Sequence, residues 1–546
     1  MGEFSGNRLL TEVKNMELSL LTWLLAFAPV LCIIVFMLVL KWSGIKAGAI
    51  AWFFTILIAI VYFGASLELI AYTQVKTVFL VLDVLFIIWT ALLFFHVADE
   101  AGAIRIIGQT LPKLTSDKMM LSLLLGWVFT SFLQGMGGFG VPIAVAAPLL
   151  ISVGFSPLQA IVMACIGHGW AVNFGSLATS FQTLLAVTNL PGLYLAADAG
   201  ILLTFACLAS GFLVAYLGSG WNGLKRSALP VLIIGLTMSG VQYWLATSGL
   251  WTLGATGGAM AGLGLGILWT RLIGSPINSP LKDTLPVSKS PEDEKSSPIA
   301  KVSSSNFLAA SPYVVLIGIA FFINLIPPVK SLLNQVEVSL AIPALSTSFG
   351  YITPAESSRA ISLFGHPGSI LLYSSIISYL IFLRAGYYNE GALSNIRAKV
   401  LNGAVSSSLS IFALVGTAVM MSHSGMTLPI AQGISQSVGR ELYPLVAPFI
   451  GALGGFITGS NNNSNVMFAI LQQKTAELLG LSVPVILGSQ TAGGSLGSVL
   501  SPAKVIVGCS TVNLGSDEGI VLQKVIPLGL IPIFIIAVVT YVMTKI

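Results

Sequence analysis

Apolar runs long enough to cross a bilayer recur from one end of this chain to the other, among them Leu20–Leu40, Thr77–Ala98, Ala199–Leu217 and Val525–Met543. About 20 apolar residues span the hydrocarbon core as a helix. Lipid offers the backbone no hydrogen bonds, so such segments must satisfy their own N–H and C=O groups. Composition agrees: of 546 residues, 55% are hydrophobic and 8% charged, against about 25% charged in soluble domains. The chain is predicted to be an all-α polytopic membrane protein with roughly 12 to 14 spans.

Two stretches break the apolar pattern inside its membrane-length sequence. They are Phe132-Leu-Gln-Gly-Met-Gly-Gly-Phe-Gly-Val-Pro142 and Phe456-Ile-Thr-Gly-Ser-Asn-Asn-Asn-Ser-Asn465. Each leads into a short apolar stretch and then a turn, Gly154-Phe-Ser-Pro157 or Gly480-Leu-Ser-Val-Pro484. A second glycine-rich stretch follows each turn: Gly167-His-Gly-Trp-Ala-Val-Asn-Phe-Gly175 and Gln490-Thr-Ala-Gly-Gly-Ser-Leu-Gly497. Each half is therefore predicted to hold a re-entrant hairpin followed by a helix interrupted midway. Inverted repeats are the expected relation, with parallel repeats the alternative, and paired breaks of this kind mark a carrier's binding site. Small residues also let helices pack closely. That reading fits isolated glycines better than Asn461-Asn-Asn463 set between Ser460 and Ser464.

Segment Ser275–Asn306 carries five prolines, many serines and the run Glu292-Asp-Glu-Lys295, a composition that cannot bury a core. It divides the chain into an N-terminal segment 1–17, a first membrane repeat 18–273, a hydrophilic linker 274–306 and a second membrane repeat 307–546. Lys282, Lys289, Lys295 and Lys301 place the linker on the cytoplasmic side. Lys41, Lys46, Arg105, Lys113 and Lys118 flank alternate loops and favour an external N-terminus. The net charge of +5 is spread over such loops and does not point to nucleic acid. No cleavage pattern follows the first apolar run, so a retained helix is expected there. Cys32, Cys165, Cys207 and Cys509 lack CxxC spacing and read as buried thiols. No HExxH, Walker or G-x-S-x-G motif is present, so neither an enzyme nor a cofactor is expected.

A half-helix beginning at a glycine-rich break directs unpaired N–H groups and a positive dipole end into its cavity, which suits a carboxylate. Gly135, Gly137, Gly138, Phe139 and Gly140 in one half, with Gly493 and Gly494 in the other, are the candidate backbone contacts. The side chains of Gln134, Ser460, Asn461, Asn462, Asn463, Ser464, Asn465, Gln490 and Thr491 both donate and accept. They suit a carboxylate, a hydroxyl or, near Asn461, Asn463 and Ser464, Na⁺; the bland reading is that they satisfy backbone exposed at the break. Ionisable groups within spans are few. His168 is the leading candidate for substrate contact or proton carriage, with His423 and Asp83 as further coupling candidates. Asp83 lies about two helical turns from Lys76, allowing a pair between them. His96 and His366 fall near span ends, and Glu356 and Arg359 have the spacing of an intrahelical ion pair.

These motifs are similar to those of the L-lactate permease family. The resemblance runs through nearly the whole chain and includes Gly138-Phe-Gly140 with Pro142, Gly154-Phe-Ser-Pro-Leu158, Ile326-Pro-Pro328, Pro448-Phe-Ile-Gly451, Thr458-Gly-Ser460, Gly493-Gly494 and Ser501-Pro502. It implies carriage of lactate or glycolate across a bacterial cell membrane, an elevator-type fold with paired hairpins, and dimers as in many elevator carriers. The chain also departs from the family pattern: Gln134 replaces a Glu, Asn461 an Asp and Gln490 an Asn, and His168-Gly-Trp-Ala171 replaces an Asn-Thr-Ala-Pro run. The expected function is secondary active transport of a small 2-hydroxymonocarboxylate (L-lactate, D-lactate or glycolate) with co-transported H⁺ or Na⁺. The alternatives are a different small organic anion in the same fold, or a passive anion channel.

Overall fold

A computed structural model describes residues 19–40, 42–138, 140–273, 306–358, 360–512, 514 and 518–546. The N-terminal segment 1–17 and all but the last residue of the linker 274–306 lie outside the described residues, as do Phe139 and Arg359. Eleven helices are long and apolar enough to cross a membrane, or thirteen if two bent pairs each count as one span. Large apolar side chains face outward, including Phe53, Trp244 and Phe534. The interior, by contrast, is rich in buried Ser, Thr, Asn and Gln. That inversion is expected where lipid rather than water is the outer solvent.

The core contains two helical hairpins. The first runs down Lys118–Met136 through a π-helical stretch, Leu124–Phe129. It breaks at Gly137–Gly140 and returns as Val141–Ser152. Its open end is joined where Lys118 Nζ donates to the Gly154 carbonyl at 3.4 Å. The second descends Thr427–Thr458, turns at Gly459, and returns as Asn461–Leu479. Gly459 has φ +68, a conformation that costs any residue with a Cβ. Ser460 caps the new helix by accepting from Asn463 N. The two arms are tied by Gln472 Nε2 donating to Ala447 O at 2.9 Å and Ser464 Oγ donating to Gly451 O at 2.7 Å.

A broken helix follows each hairpin. In the first half, Pro157–His168 starts on a Ser156/Gln159 capping box. It bends by 40° before Ser176–Thr188, as the glycine-rich stretch 167–175 predicts. In the second half the interruption falls elsewhere than expected. Helix Val483–Val499 runs unbroken through Gln490–Gly497, and the chain is interrupted at Leu500–Ser501 before Pro502–Thr511. Gly493 and Gly497 are there because a Cβ would lie 2.0 Å from the Pro448 carbonyl and 2.1 Å from that of Ala452. They allow two helices to touch backbone to backbone.

Helices Pro367–Arg384 and Ala392–His423 each pack along Leu67–Glu100. The all-α expectation needs one correction. Three short antiparallel pairings, Glu337–Val338 with Ile361–Ser362, Ala341–Ile342 with Glu356–Ser357, and Leu345–Ser346 with Ile352–Thr353, form a two-stranded ribbon. Of the residues that alternate along Val336–Ile342, Val336 and Val338 are exposed and Ile342 is buried. Glu356 thus lies in a strand, so the intrahelical pairing expected with Arg359 has no helix to form on.

Candidate functional site

Each hairpin tip lies against a helix interruption, Gly138 against Ser176 and Gly459 against Ser501. Asn461 and Asn465 are four apart on one helix and so share a face, which they turn toward Val483–Val499. Asn461 Nδ2 donates to Thr491 Oγ1 at 3.1 Å and Ser495 Oγ at 2.9 Å. Asn465 Nδ2 donates to Thr491 Oγ1 at 2.9 Å and to the Ser180 carbonyl at 3.0 Å. The Thr491 hydroxyl spends its one proton on Asn173 Oδ1 at 2.6 Å. Ser180 Oγ donates to Asn462 Oδ1 at 2.6 Å. Asn173 and Ser180 flank the first-half interruption, so this network crosses from one half of the chain to the other. Gln490 closes its far end, donating to Ser464 O and Oγ at 3.2 and 3.1 Å while accepting from Gln472 at 3.1 Å. The Asn461–Asn465 run is therefore the first turns of a capped helix, not the break itself.

Several buried polar atoms at this junction have no partner. They are the Oδ1 atoms of Asn461, Asn463 and Asn465, Gln134 Oε1, Asn173 Nδ2 and His168 Nε2. Buried polar groups in native proteins are seldom left unpaired. Orphans on residues at or beside the hairpin tips and the first helix interruption are what a ligand-accepting site requires. Four of the six are amide oxygens, which accept from hydroxyl or ammonium groups and coordinate cations.

The first tip lies on strained backbone. Ser176, Leu177 and Ala178 have φ +46, +60 and +62 in succession, a conformation costing roughly 1–3 kcal/mol per non-glycine residue. A Cβ on Gly138 would meet Ser176 Oγ at 2.6 Å. Beside this contact is a cavity of about 320 Å³ lined by Gly137, Gly138, Ser176, Thr179, Phe95 and His96. A wider cleft of about 540 Å³ sits at the ribbon tip around Gly64 and Ser346–Ser348, apart from the hairpin tips.

Other expected residues serve elsewhere. A Cβ on Gly135 would meet the Thr256 backbone at 2.8 Å and one on Gly494 would meet Asn461 Oδ1 at 2.2 Å, so both glycines, like Gly493, are taken up by close packing. Gly140 has φ +91 and turns the chain against Val507. The described partner of Asp83 lies at the start of another helix. Asp83 Oδ1 lies 2.9 Å from His366 Nε2, and the ring of His366 stacks on Phe86. Lys76 Nζ lies 3.1 Å from His423 Nε2. Both contacts sit on Leu67–Glu100, outside the amide network. Sequence reasoning missed Asn173, Ser180 and Ser495, although Asn173 stands within the glycine-rich stretch 167–175. It also missed Lys504, a basic residue set among Val505, Ile506 and Val507.

An apolar helical chain whose interrupted segments enclose a polar junction is a polytopic membrane transporter. Residues 22–546 match the model of the L-lactate permease family, and the chain belongs to that family. It is 25% identical to the glycolate permease GlcA of Escherichia coli over 544 residues, covering 95% of each chain. It is 24% identical to the L-lactate permease of Bacillus subtilis over 551 residues, covering 96% of each, and 27% identical to that of Streptococcus iniae over 467 residues, covering 84% and 92%. Among solved structures, the YdaH transporter of Alcanivorax borkumensis aligns over 86% of each chain at 15% identity, with a TM-score of 0.46. These relatives are permeases, and this chain is a multi-pass cell-membrane transporter rather than an enzyme.

Proposed function

We propose that this protein is a secondary active carrier of a small 2-hydroxymonocarboxylate, namely L-lactate, D-lactate or glycolate. The names of its relatives support that substrate class. The observation that carries the reading is the junction itself: the second hairpin tip tied by amides and hydroxyls to helix Val483–Val499 and to the broken helix of the first half, with unpaired polar atoms on the same residues. The anion sits between the tips, on backbone N–H groups of the Gly137–Gly140 turn and the side chains of Ser460–Asn465. His168, Gln490 and Thr491 line the same space. The cavity against Gly137 and Gly138 is within the size range of small-molecule sites.

Moving a monovalent anion inward against a negative-inside potential costs ~2.3 kcal/mol per 100 mV, so accumulation requires a co-transported cation. Gln134 and Asn461 are amides and cannot carry a proton. The orphaned oxygens of Asn461, Asn463 and Asn465 favour Na⁺, and His168 is the proton alternative. The paired hairpins support an inverted-repeat elevator in which the tips move together with their broken helices; a homodimer is the expected assembly.

The test is uptake of labelled L-lactate and glycolate into proteoliposomes under separately imposed sodium and proton gradients. Saturable uptake driven by sodium, and weakened in Asn463→Leu, is expected. Uptake driven by protons with no sodium dependence would overturn the cation assignment. Absence of uptake of any short hydroxy acid under either gradient would overturn the substrate, and flux that never saturates would favour a channel.

A further inference from the structure

Lys504 occupies a place where a lysine is electrostatically costly. It is the third residue of helix Pro502–Thr511, where the helix dipole already presents positive charge. Its side chain is 7% exposed. The ammonium has three protons to donate, and the bond it makes is to Ser498 Oγ at 3.3 Å. The ion pairs found among the described residues leave it out. Lys399, Lys474 and Lys545, all on the surface, each have a carboxylate partner. A buried charge without a counter-ion is far more costly than a buried pair.

The location of Lys504 suggests what the missing partner is. Ser501, which caps its helix, lies against Gly459 at the second hairpin tip, and Val507, one turn beyond, lies against Gly140 at the first. Residues three apart share a helix face, so Lys504 belongs to the strip between the two tips. Its helix packs against helix Pro157–His168, which carries His168 and Cys165. The His168 ring is wholly buried, with Nδ1 2.6 Å from the Ala164 carbonyl. Nδ1 must carry the proton in that contact, which leaves Nε2 a bare acceptor, and Nε2 has no partner. A cation lacking an anion and an acceptor lacking a donor therefore stand on two helices packed against each other.

We propose that Lys504 and His168 form the recognition pair for the substrate: the Lys504 ammonium takes the carboxylate, and His168 Nε2 accepts the proton of the 2-hydroxyl. This rests on the transport reading above and deepens it. The backbone N–H groups of the hairpin tip add hydrogen bonds to the carboxylate, while Lys504 supplies the compensating charge. Non-hydroxylated acids such as propionate satisfy the lysine but leave the imidazole unpaired.

The test is binding of L-lactate and propionate to the purified full-length protein, read by calorimetry, in wild type and in Lys504→Gln, Lys504→Arg and His168→Phe. Gln retains a donor for Ser498 without charge, and Arg retains the charge. Lys504→Gln should weaken lactate binding about 30-fold, equivalent to ~2 kcal/mol, while Lys504→Arg should keep it within about threefold. His168→Phe should bring lactate down to the affinity of propionate. Melting temperatures of all variants are recorded alongside. A folded Gln variant that binds lactate as wild type does overturns the lysine assignment alone. So does an equal loss in the Gln and Arg variants that follows an equal fall in melting temperature, because that marks a packing role. Undiminished preference for lactate over propionate in His168→Phe overturns the histidine assignment. A wild-type protein that binds no short hydroxycarboxylate overturns the transport reading itself, and this proposal with it.

Discussion

Thr491→Val tests whether the junction between the halves is held as described. Valine keeps the shape of threonine and removes its hydroxyl, which receives protons from Asn461 and Asn465 and donates to Asn173. Side-chain hydrogen bonds in membrane proteins average about 0.6 kcal/mol and reach about 1.7, so losing three sums to about 2–5 kcal/mol. The upper part of that range applies if the buried amides find no new partner; Asn461 retains Ser495 and Asn465 retains the Ser180 carbonyl. Thr491→Ser is the control, since it keeps all three bonds and removes one methyl, worth about 0.8 kcal/mol. Denaturant titration of both variants in mixed micelles gives the comparison directly. A valine variant within about 0.5 kcal/mol of wild type, the spread of a neutral substitution, would refute the account. A serine variant that loses as much as valine would also refute it, because packing rather than hydrogen bonding would then hold the junction.

Gly138→Ala should fold with an unchanged melting temperature and lose most uptake, since its new methyl is opposed by a rotatable hydroxyl, Ser176 Oγ, at the edge of the cavity; kinetics of labelled lactate uptake check this. Gly493→Ala should instead fail at folding. Its methyl would lie 2.0 Å from a backbone carbonyl and overpacking of this kind costs at least about 1–3 kcal/mol, which monodisperse yield and thermal stability will register. Asp83→Leu should destabilise by about 3–5 kcal/mol by leaving His366 without its buried partner, and adding His366→Leu should recover part of that loss. A denaturation double-mutant cycle that shows simple additivity would dismiss the pair as a stabilising unit.

The spans were legible because bilayer length and backbone satisfaction leave few options for apolar runs such as Thr77–Ala98. The hairpin tips were legible for a related reason: Gly140 and Gly459 mark turns that need positive φ, and Pro157 and Pro484 mark new helix starts. The Gln490–Gly497 stretch misled because a helix loses only about 1 kcal/mol per glycine, and backbone contact with Thr427–Thr458 outweighs that loss. The polar Asn461–Asn463 run looked like a loop for want of the long-range partners that make it helical, Thr491, Ser495 and Ser180. Asp83 was matched to Lys76 because both lie on one helix, whereas His366 is 283 residues away in sequence. No periodicity argument reaches across that distance.

On the proposed reading, the amides at Gln134 and Asn461 and the buried Lys504 belong to one electrostatic arrangement. A carboxylate at either tip position, as the resemblance to the family implies, would compete with a ligand's charge for the Lys504 ammonium. With amides there, the described part of the junction holds one ammonium, the His168 imidazole and no acid, and an arriving carboxylate would bring the site to neutrality. That favours closure of the tips over a loaded site and disfavours closure over an empty one, where the ammonium would be sealed in with only Ser498. A Na⁺ on the amide oxygens would then add the charge that lets the membrane potential drive the loaded form inward, without any titratable group at the tips. On the proposed reading, the charge that recognises the anion and the oxygens that hold the cation fall on different residues, Lys504 with His168 for the one and the asparagine oxygens for the other. The two functions can be separated by substitution, which a shared carboxylate would not permit.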